Sequence, residues 1–207
     1  IKLGTERADA LIDNYCENVR RLGRAGVRCI CYNFMPVFDW LRSELRHPQA
    51  DGANALAYDE KTVLSMDPLK GELSLPGWDE SYTKEGLRAL LSAYAKVDEE
   101  QLWRNLEHFL RRVIPVAQES GINMAIHPDD PPWGIFGLPR IITNAQNLRR
   151  FLNLVPVKNN GLTFCTGSLG ANPNNDLVAM AGEFADRIHF LHLRNIRLTG
   201  ERQFEEV

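Results

Sequence analysis

The sequence predicts an α/β fold of parallel strands joined by helical crossovers. Two observations carry that prediction: short β-prone runs alternate with amphipathic helical stretches between residues 7 and 192, and the order is strand, helix, strand wherever the pattern is regular. A doubly wound open sheet is the structural alternative, although no glycine-rich phosphate loop follows any of the strands.

The first helix begins at Arg7, with Leu11, Ile12, Tyr15, Val19 and Leu22 at helical spacing and Gly23 and Gly26 as stop signals. Val27 to Asn33 then reads as a strand that Pro36 terminates. Residues 41–81 are charged, rich in proline and glycine and without a sustained period, so they are expected to form a long excursion of the lid or binding-loop kind. Two helices follow, one on Leu87, Leu90, Leu91 and Tyr94, the other on Leu102, Leu106, Phe109, Leu110, Val113, Ile114 and Ala117. Gly121 ends the second. A strand from Ile122 to His127 runs into Pro128-Asp129-Asp130-Pro131-Pro132, whose prolines must leave the sheet at once. Thr143 is placed to cap a helix carrying Leu148, Phe151 and Leu152. Leu162 to Cys165 reads as the next strand, Asp176 opens a helix with Leu177, Val178, Met180, Ala181 and Phe184, and Ile188 to His192 is the last strand the pattern reveals.

With 207 residues the chain can bury one sizeable core. Its 24 basic and 27 acidic side chains give a formal charge of -3, which offers no global attraction to a phosphate backbone, so nucleic acid is not expected as a partner. The densest basic group, Arg20, Arg21, Arg24 and Arg28, falls at a helix C-terminus, where cations suit the helix dipole. No run approaches the roughly 18 apolar residues that cross a bilayer, so no membrane partner is expected and a cytoplasmic location is. Cys16, Cys29, Cys31 and Cys165 form no CxxC pair, which points to reduced thiols free to bind metal.

The chemistry concentrates at strand ends. His127, Cys165 and His192 each lie at the C-terminal end of a different strand and would face one mouth, the face that carries the active site in a β/α barrel. Two imidazoles and a thiolate suit a divalent zinc, iron, cobalt or manganese ion, although ligands so far apart match no short metal motif. His189 is expected to point to the other side of its strand from His192. His47 reads as a solvated loop residue, His108 as a helix-surface residue, and Cys29 and Cys31 as small core residues. Asp129 and Asp130 stand where they can orient an imidazole, bind hydroxyls or begin a polar loop. Arg194 stands where a guanidinium can receive a substrate carboxylate or form an ordinary salt bridge, and both remain open.

CYNFMPVFDW from Cys31, IHPDDPPWGIFGLPRI from Ile126, FCTGSLG from Phe164, Asn175-Asp176 and HLRNI from His192 together resemble the mannonate dehydratases. The resemblance spans Asn14 to Asn195 in several long blocks in the expected order. It implies a TIM-type (β/α)8 barrel of the xylose-isomerase-like kind, only partly present here. Residues 1–207 would form a single partial domain with a lid-like insertion at about 41–81 and with N- and C-terminal barrel elements missing. It implies dehydration of D-mannonate to 2-keto-3-deoxy-D-gluconate in hexuronate catabolism, with Mn2+ or Fe2+ held by His127, Cys165 and His192. Asn33, Asp129 and Arg194 are the expected substrate contacts. The family's remaining metal ligand and its acid and base come from an Asp-His pair and a Tyr in a later segment without a counterpart here, so these are unassigned. A homo-oligomer such as a dimer stays open. The rival readings are a metal-dependent sugar isomerase or epimerase on the same barrel, and a catalytically incomplete sugar-binding remnant.

Overall fold

In the computed structural model, which describes residues 1–66, 76–78 and 81–207, the first helix α1 (Ala8–Arg24) buries Ala8, Ile12, Cys16 and Val19. That stripe is rotated from the expected one: Leu11 and Leu22 stand at its rim, 40% and 39% exposed, because the partner helix is met by one narrow face. The arginines at its end pair with Glu17. After it comes β1 (Cys29–Tyr32), then the segment expected to be irregular.

That expectation is corrected for the described part of 41–81. It holds β2 (Glu44–Pro48), β3 (Asn54–Asp59) and the short helix α2 (Glu60–Ser65), which Asp59 caps through the Thr62 amide. Residues 67–75, 79 and 80 lie outside the described residues. Helices α3 (Lys84–Tyr94) and α4 (Glu99–Glu119) follow as expected, capped by Thr83 and Asp98. All seven residues singled out on α4 are buried. β4 (Asn123–Ile126), α5 (Ala145–Leu154), β5 (Asn160–Cys165), the short α6 (Thr166–Gly170), α7 (Leu177–Glu183) and β6 (Ile188–His192) complete the alternation. The cap of α5 is Asn144, which accepts from the Asn147 amide; Thr143, the expected cap, instead accepts from the Asn147 side chain. Nor is β6 the last strand, since β7 (Ile196–Gly200) and β8 (Gln203–Glu206) follow.

The strands form two sheets. β1, β4, β5 and β6 pair in that order, all parallel, which is the sequential arrangement of half of a β/α barrel. β2, β3, β8 and β7 form an antiparallel sheet that joins the insertion to the last described residues. One apolar cluster runs through both, from Phe109 and Ile126 to Tyr58 and Phe204. Tyr58 stacks on Phe204 with ring centres 5.4 Å apart, and its hydroxyl accepts from the Trp133 indole at 3.1 Å. No described helix is long and apolar enough to cross a membrane.

Side chains of the parallel sheet alternate between the helices and the concave face. Met124, Ile126, Leu162 and Phe164 go outward into the core. Cys31 and Thr163 meet on the other face, sulfur to oxygen 3.0 Å. This corrects the core assignment of the two cysteines: Cys29 is half-buried and Cys31 exposed, since β1 is an edge strand of the sheet.

Glycine is required at Gly161 by a close approach rather than by its backbone angles. A Cβ there would collide with the Arg187 carbonyl oxygen and the His189 ring, so β6 lies closer to β5 than any side chain permits. Gly161→Ala is expected to lower the unfolding free energy by about 2 kcal/mol, in the range of overpacking in a tight interior. A urea midpoint equal to that of the wild type would show that the two strands are not so constrained.

Candidate metal centre

The parallel register brings three strand ends to one place. Cys165, the last residue of β5, pairs in register with His192, the last of β6, and His127 follows directly on β4, its amide donating to the Tyr32 carbonyl of β1. Residues at equivalent depth in neighbouring parallel strands point the same way. One ligand atom from each of His127, Cys165 and His192 therefore lies within 4.8 Å of the others. Among the described residues this is the one group of three or more such side chains that could hold a metal ion.

Hydrogen bonds orient the three donors. The Nδ1 of His127 is 2.8 Å from the Pro128 carbonyl oxygen; a carbonyl only accepts, so Nδ1 carries the proton and the Nε2 lone pair is turned toward the cluster. That Nε2 lies 3.2 Å from Nδ1 of His192. The Cys165 sulfur accepts from the Ser168 amide at 3.4 Å.

The electrostatics agree. Burial raises the Cys165 pKa, but the neighbouring His127 imidazole and the Ser168 donor outweigh it and leave the thiol below its ordinary range. Burial lowers that of His127, but the Cys165 sulfur and the Pro128 carbonyl prevail and raise it. His192 is lowered by burial, then by the charges of His127 and Arg194. A thiol biased toward thiolate and a His192 imidazole biased toward its free base are both suited to binding a cation.

A divalent cation fits this donor set. A tetrahedral centre with metal to nitrogen bonds of about 2.1 Å sets its nitrogens about 3.4 Å apart, close to the 3.2 Å between the two imidazoles. The mixed nitrogen and sulfur set suits a borderline-soft ion rather than magnesium or calcium. The described residues supply three ligands to such a centre. Volume alone does not find the site: clefts of about 550 and 400 Å³ lie along the antiparallel sheet, lined by Gln49, Leu56 and Arg197 and by Glu44, His47 and Gln203.

The other expected residues have different surroundings. Asp129 is buried, its Oδ2 accepting from the Ile141 and Ile142 amides at 2.6 and 2.9 Å while its Oδ1 has no hydrogen-bond partner among the described residues. Its carboxyl pKa is raised by burial, with Arg140 opposing. Asp129 therefore staples the loop after β4 through Oδ2. Asn33 stands just past β1, its amide oxygen accepting from Lys2 Nζ at 3.0 Å and from the Met35 amide at 3.3 Å. Arg194 forms the ion pair that its position left open: Nη1 lies 2.7 Å from Asp130 and Nη2 3.3 Å from the Ser168 hydroxyl.

Asp130 is the centre of a buried network that sequence reading only touched. Arg42 grips both its oxygens, at 2.8 and 3.0 Å, and donates also to Glu206 at 2.8 Å. Arg42 is 1% exposed and its guanidinium lies 4.9 Å above the Phe204 ring. Arg42, Ser168 and Glu206 were not singled out as site residues; an arginine in a charged segment looks like any solvated one until the fold buries it. The remaining histidines behave as surface or packing groups. His108 meets Asp9, His47 lies on β2 between Glu44 and Glu205, and His189 bonds to the Lys158 carbonyl.

Comparison with known proteins identifies the family. The family model described as D-mannonate dehydratase (UxuA) matches residues 1–207. The chain is 52% identical to a protein of Streptococcus uberis named mannonate dehydratase and 54% identical to mannonate dehydratase 2 of Halalkalibacterium halodurans, in each case over 100% of this chain and 60% of the relative. The chain thus spans about three fifths of the length of these curated relatives. The crystal structure of mannonate dehydratase from Streptococcus suis serotype 2 superposes with a TM-score of 0.85 at 45% identity, covering 99% of this chain and 55% of that one.

Proposed function

The chain belongs to the D-mannonate dehydratase family, and we propose that it carries the metal-binding part of an enzyme that dehydrates D-mannonate to 2-keto-3-deoxy-D-gluconate. The observation that carries this reading is the convergence of His127, Cys165 and His192 within 4.8 Å at the ends of neighbouring parallel strands. The whole protein would be a (β/α)8 barrel of the xylose-isomerase-like kind, acting in hexuronate catabolism in the cytoplasm, with Mn2+ or Fe2+ at the three ligands.

The reaction removes the proton beside the carboxylate and expels the hydroxyl on the next carbon. A bound divalent cation supplies Lewis-acid stabilisation of the negative charge that builds on the carboxylate as that proton leaves. The protein's own share is orientation. The Pro128 carbonyl fixes the His127 tautomer and the Ser168 amide fixes the Cys165 sulfur, so the donors are set before substrate arrives. Cys165 is a ligand in this reading and not a nucleophile. Of the polar groups expected at the substrate, Asn33 is the one this reading assigns there, standing just past the end of β1. In this reading Asp129 holds the loop after β4 through its Oδ2. Asp130 and Arg194 neutralise one another beside the ligands. The insertion rims the mouth: Arg42, just before β2, is tied to Asp130, and Tyr58 of β3 to Trp133.

Product analysis tests the proposal. The full-length protein with Mn2+ is expected to convert D-mannonate to a 2-keto-3-deoxy acid, and a chelator to stop it. Recovery of an isomeric hexonate with no loss of water would put the enzyme among the isomerases instead.

A further inference from the structure

Each of the three candidate ligands is followed within three residues by a side chain that contacts the same small buried network. Asp130 follows His127, Ser168 follows Cys165 and Arg194 follows His192. These three bond to one another: the Ser168 hydroxyl donates to Asp130 Oδ2 at 3.3 Å, Arg194 Nη2 donates to the Ser168 oxygen at 3.3 Å, and Arg194 Nη1 meets Asp130 Oδ2 at 2.7 Å. The ligand triangle is therefore backed by a second triangle drawn from the same three strand ends.

We infer that Ser168 is a positioning residue for the Cys165 sulfur, through which the Arg42, Asp130 and Arg194 network sets how that sulfur holds a cation. The inference rests on the metal-site reading above. The Ser168 residue is fully buried. Its amide donates to Cys165 Sγ while its hydroxyl is held on one side as a donor to Asp130 and on the other as an acceptor from Arg194. A hydroxyl with one donor and one acceptor partner has its orientation fixed, and the amide of the same residue is fixed with it. Asp130 is itself held rigidly, because both its oxygens are bound by Arg42. Arg194 reaches Ser168 only because Gly167 has no side chain, since a Cβ at Gly167 would collide with the Arg194 guanidinium. The turn Thr166-Gly167-Ser168 thus has a stated task at each position. Thr166 Oγ1 accepts from the Arg194 amide at 3.0 Å, Gly167 makes room for its side chain, and Ser168 links that side chain to the sulfur.

Removing the Ser168 hydroxyl separates this role from stability, because Asp130 keeps both arginines and no charge is left unpaired. The test loads the full-length protein with Co2+ and records the thiolate-to-cobalt charge-transfer band together with the cobalt affinity. Ser168→Ala is expected to fold, to bind cobalt about tenfold more weakly, as loss of an outer-shell partner does, and to shift or weaken the band. Ser168→Thr, which retains the hydroxyl, is expected to recover both. A wild-type band and affinity in Ser168→Ala overturn the inference. Should that variant not fold, Arg194→Gln decides: it leaves Ser168 in place but removes the guanidinium that donates to its hydroxyl, and an unchanged band there overturns the inference equally. A wild-type protein that takes up no cobalt, or takes it up without the thiolate band, overturns the metal-site reading and the inference with it.

Discussion

Cys165→Ser is expected to lower metal affinity by more than about 100-fold, since even outer-shell partners of a ligand are worth 10- to 100-fold. Serine keeps the shape of the side chain and can still accept from the Ser168 amide, so the fold should be undisturbed. What it loses is the soft, readily ionised donor. The thiol here already lies below its ordinary range because His127 and the Ser168 amide favour the thiolate against burial; a hydroxyl in the same place stays protonated and is a poor ligand for a borderline-soft ion. Turnover of D-mannonate should fall in parallel and recover only in part at high metal concentration. Equilibrium dialysis with Mn2+ and the keto-acid assay measure the two effects. Full metal occupancy with normal turnover would remove Cys165 from the ligand set.

Asp130→Asn is expected to destabilise the fold by about 3–5 kcal/mol, the cost of breaking a buried ion pair from one side. Arg42 is 1% exposed and keeps only Glu206 as a charged partner, while Arg194 keeps Glu206 at 3.5 Å. Urea denaturation measures the loss, and a change within 1 kcal/mol or so of zero, as for exposed pairs, would mean that the network is looser than its distances indicate. The same carboxylate makes stability pH-dependent. Burial alone would raise the Asp130 pKa, but Arg42 and Arg194 overcome it and hold the carboxyl far below the usual range. A folded pKa below the unfolded value of about 3.9 means that the unfolded state binds the proton first. The contribution of Asp130 is therefore complete above the ordinary aspartate range and is lost as pH falls through that range toward the folded pKa. The wild type should accordingly lose stability on acidification below about pH 4 more steeply than Asp130→Asn does.

How much was legible varies with the kind of interaction. Helical periodicity found α1, α3, α4, α5 and α7, which each bury one face in a shared core, and short β-prone runs found β1, β4, β5 and β6. The antiparallel sheet was missed for the same physical reason in reverse. Glu44–Pro48 is mostly exposed and Gln203–Glu206 buries only Phe204, so neither strand carries an apolar alternation, and β8 joins the insertion through a pairing with β3 that spans well over a hundred residues. The Asn144 cap was missed by one residue, within the tolerance of any boundary read from composition.

His127, Cys165 and His192 could be singled out from the chain itself, since a ligand-type side chain at the end of each of several β-prone runs is visible without coordinates, and the family blocks around them gave those positions a chemistry. What only the tertiary structure decided is which polar groups share the mouth with them. Asp129 and Asp130 are neighbours in sequence, yet one folds back to bind the Ile141 and Ile142 amides and the other joins Arg42, Arg194 and Ser168. Burial sets that difference: a carboxylate withdrawn from water must find either amide donors or a cation, and which of these lies within reach depends on how distant strands and loops pack, a fact that no local pattern records.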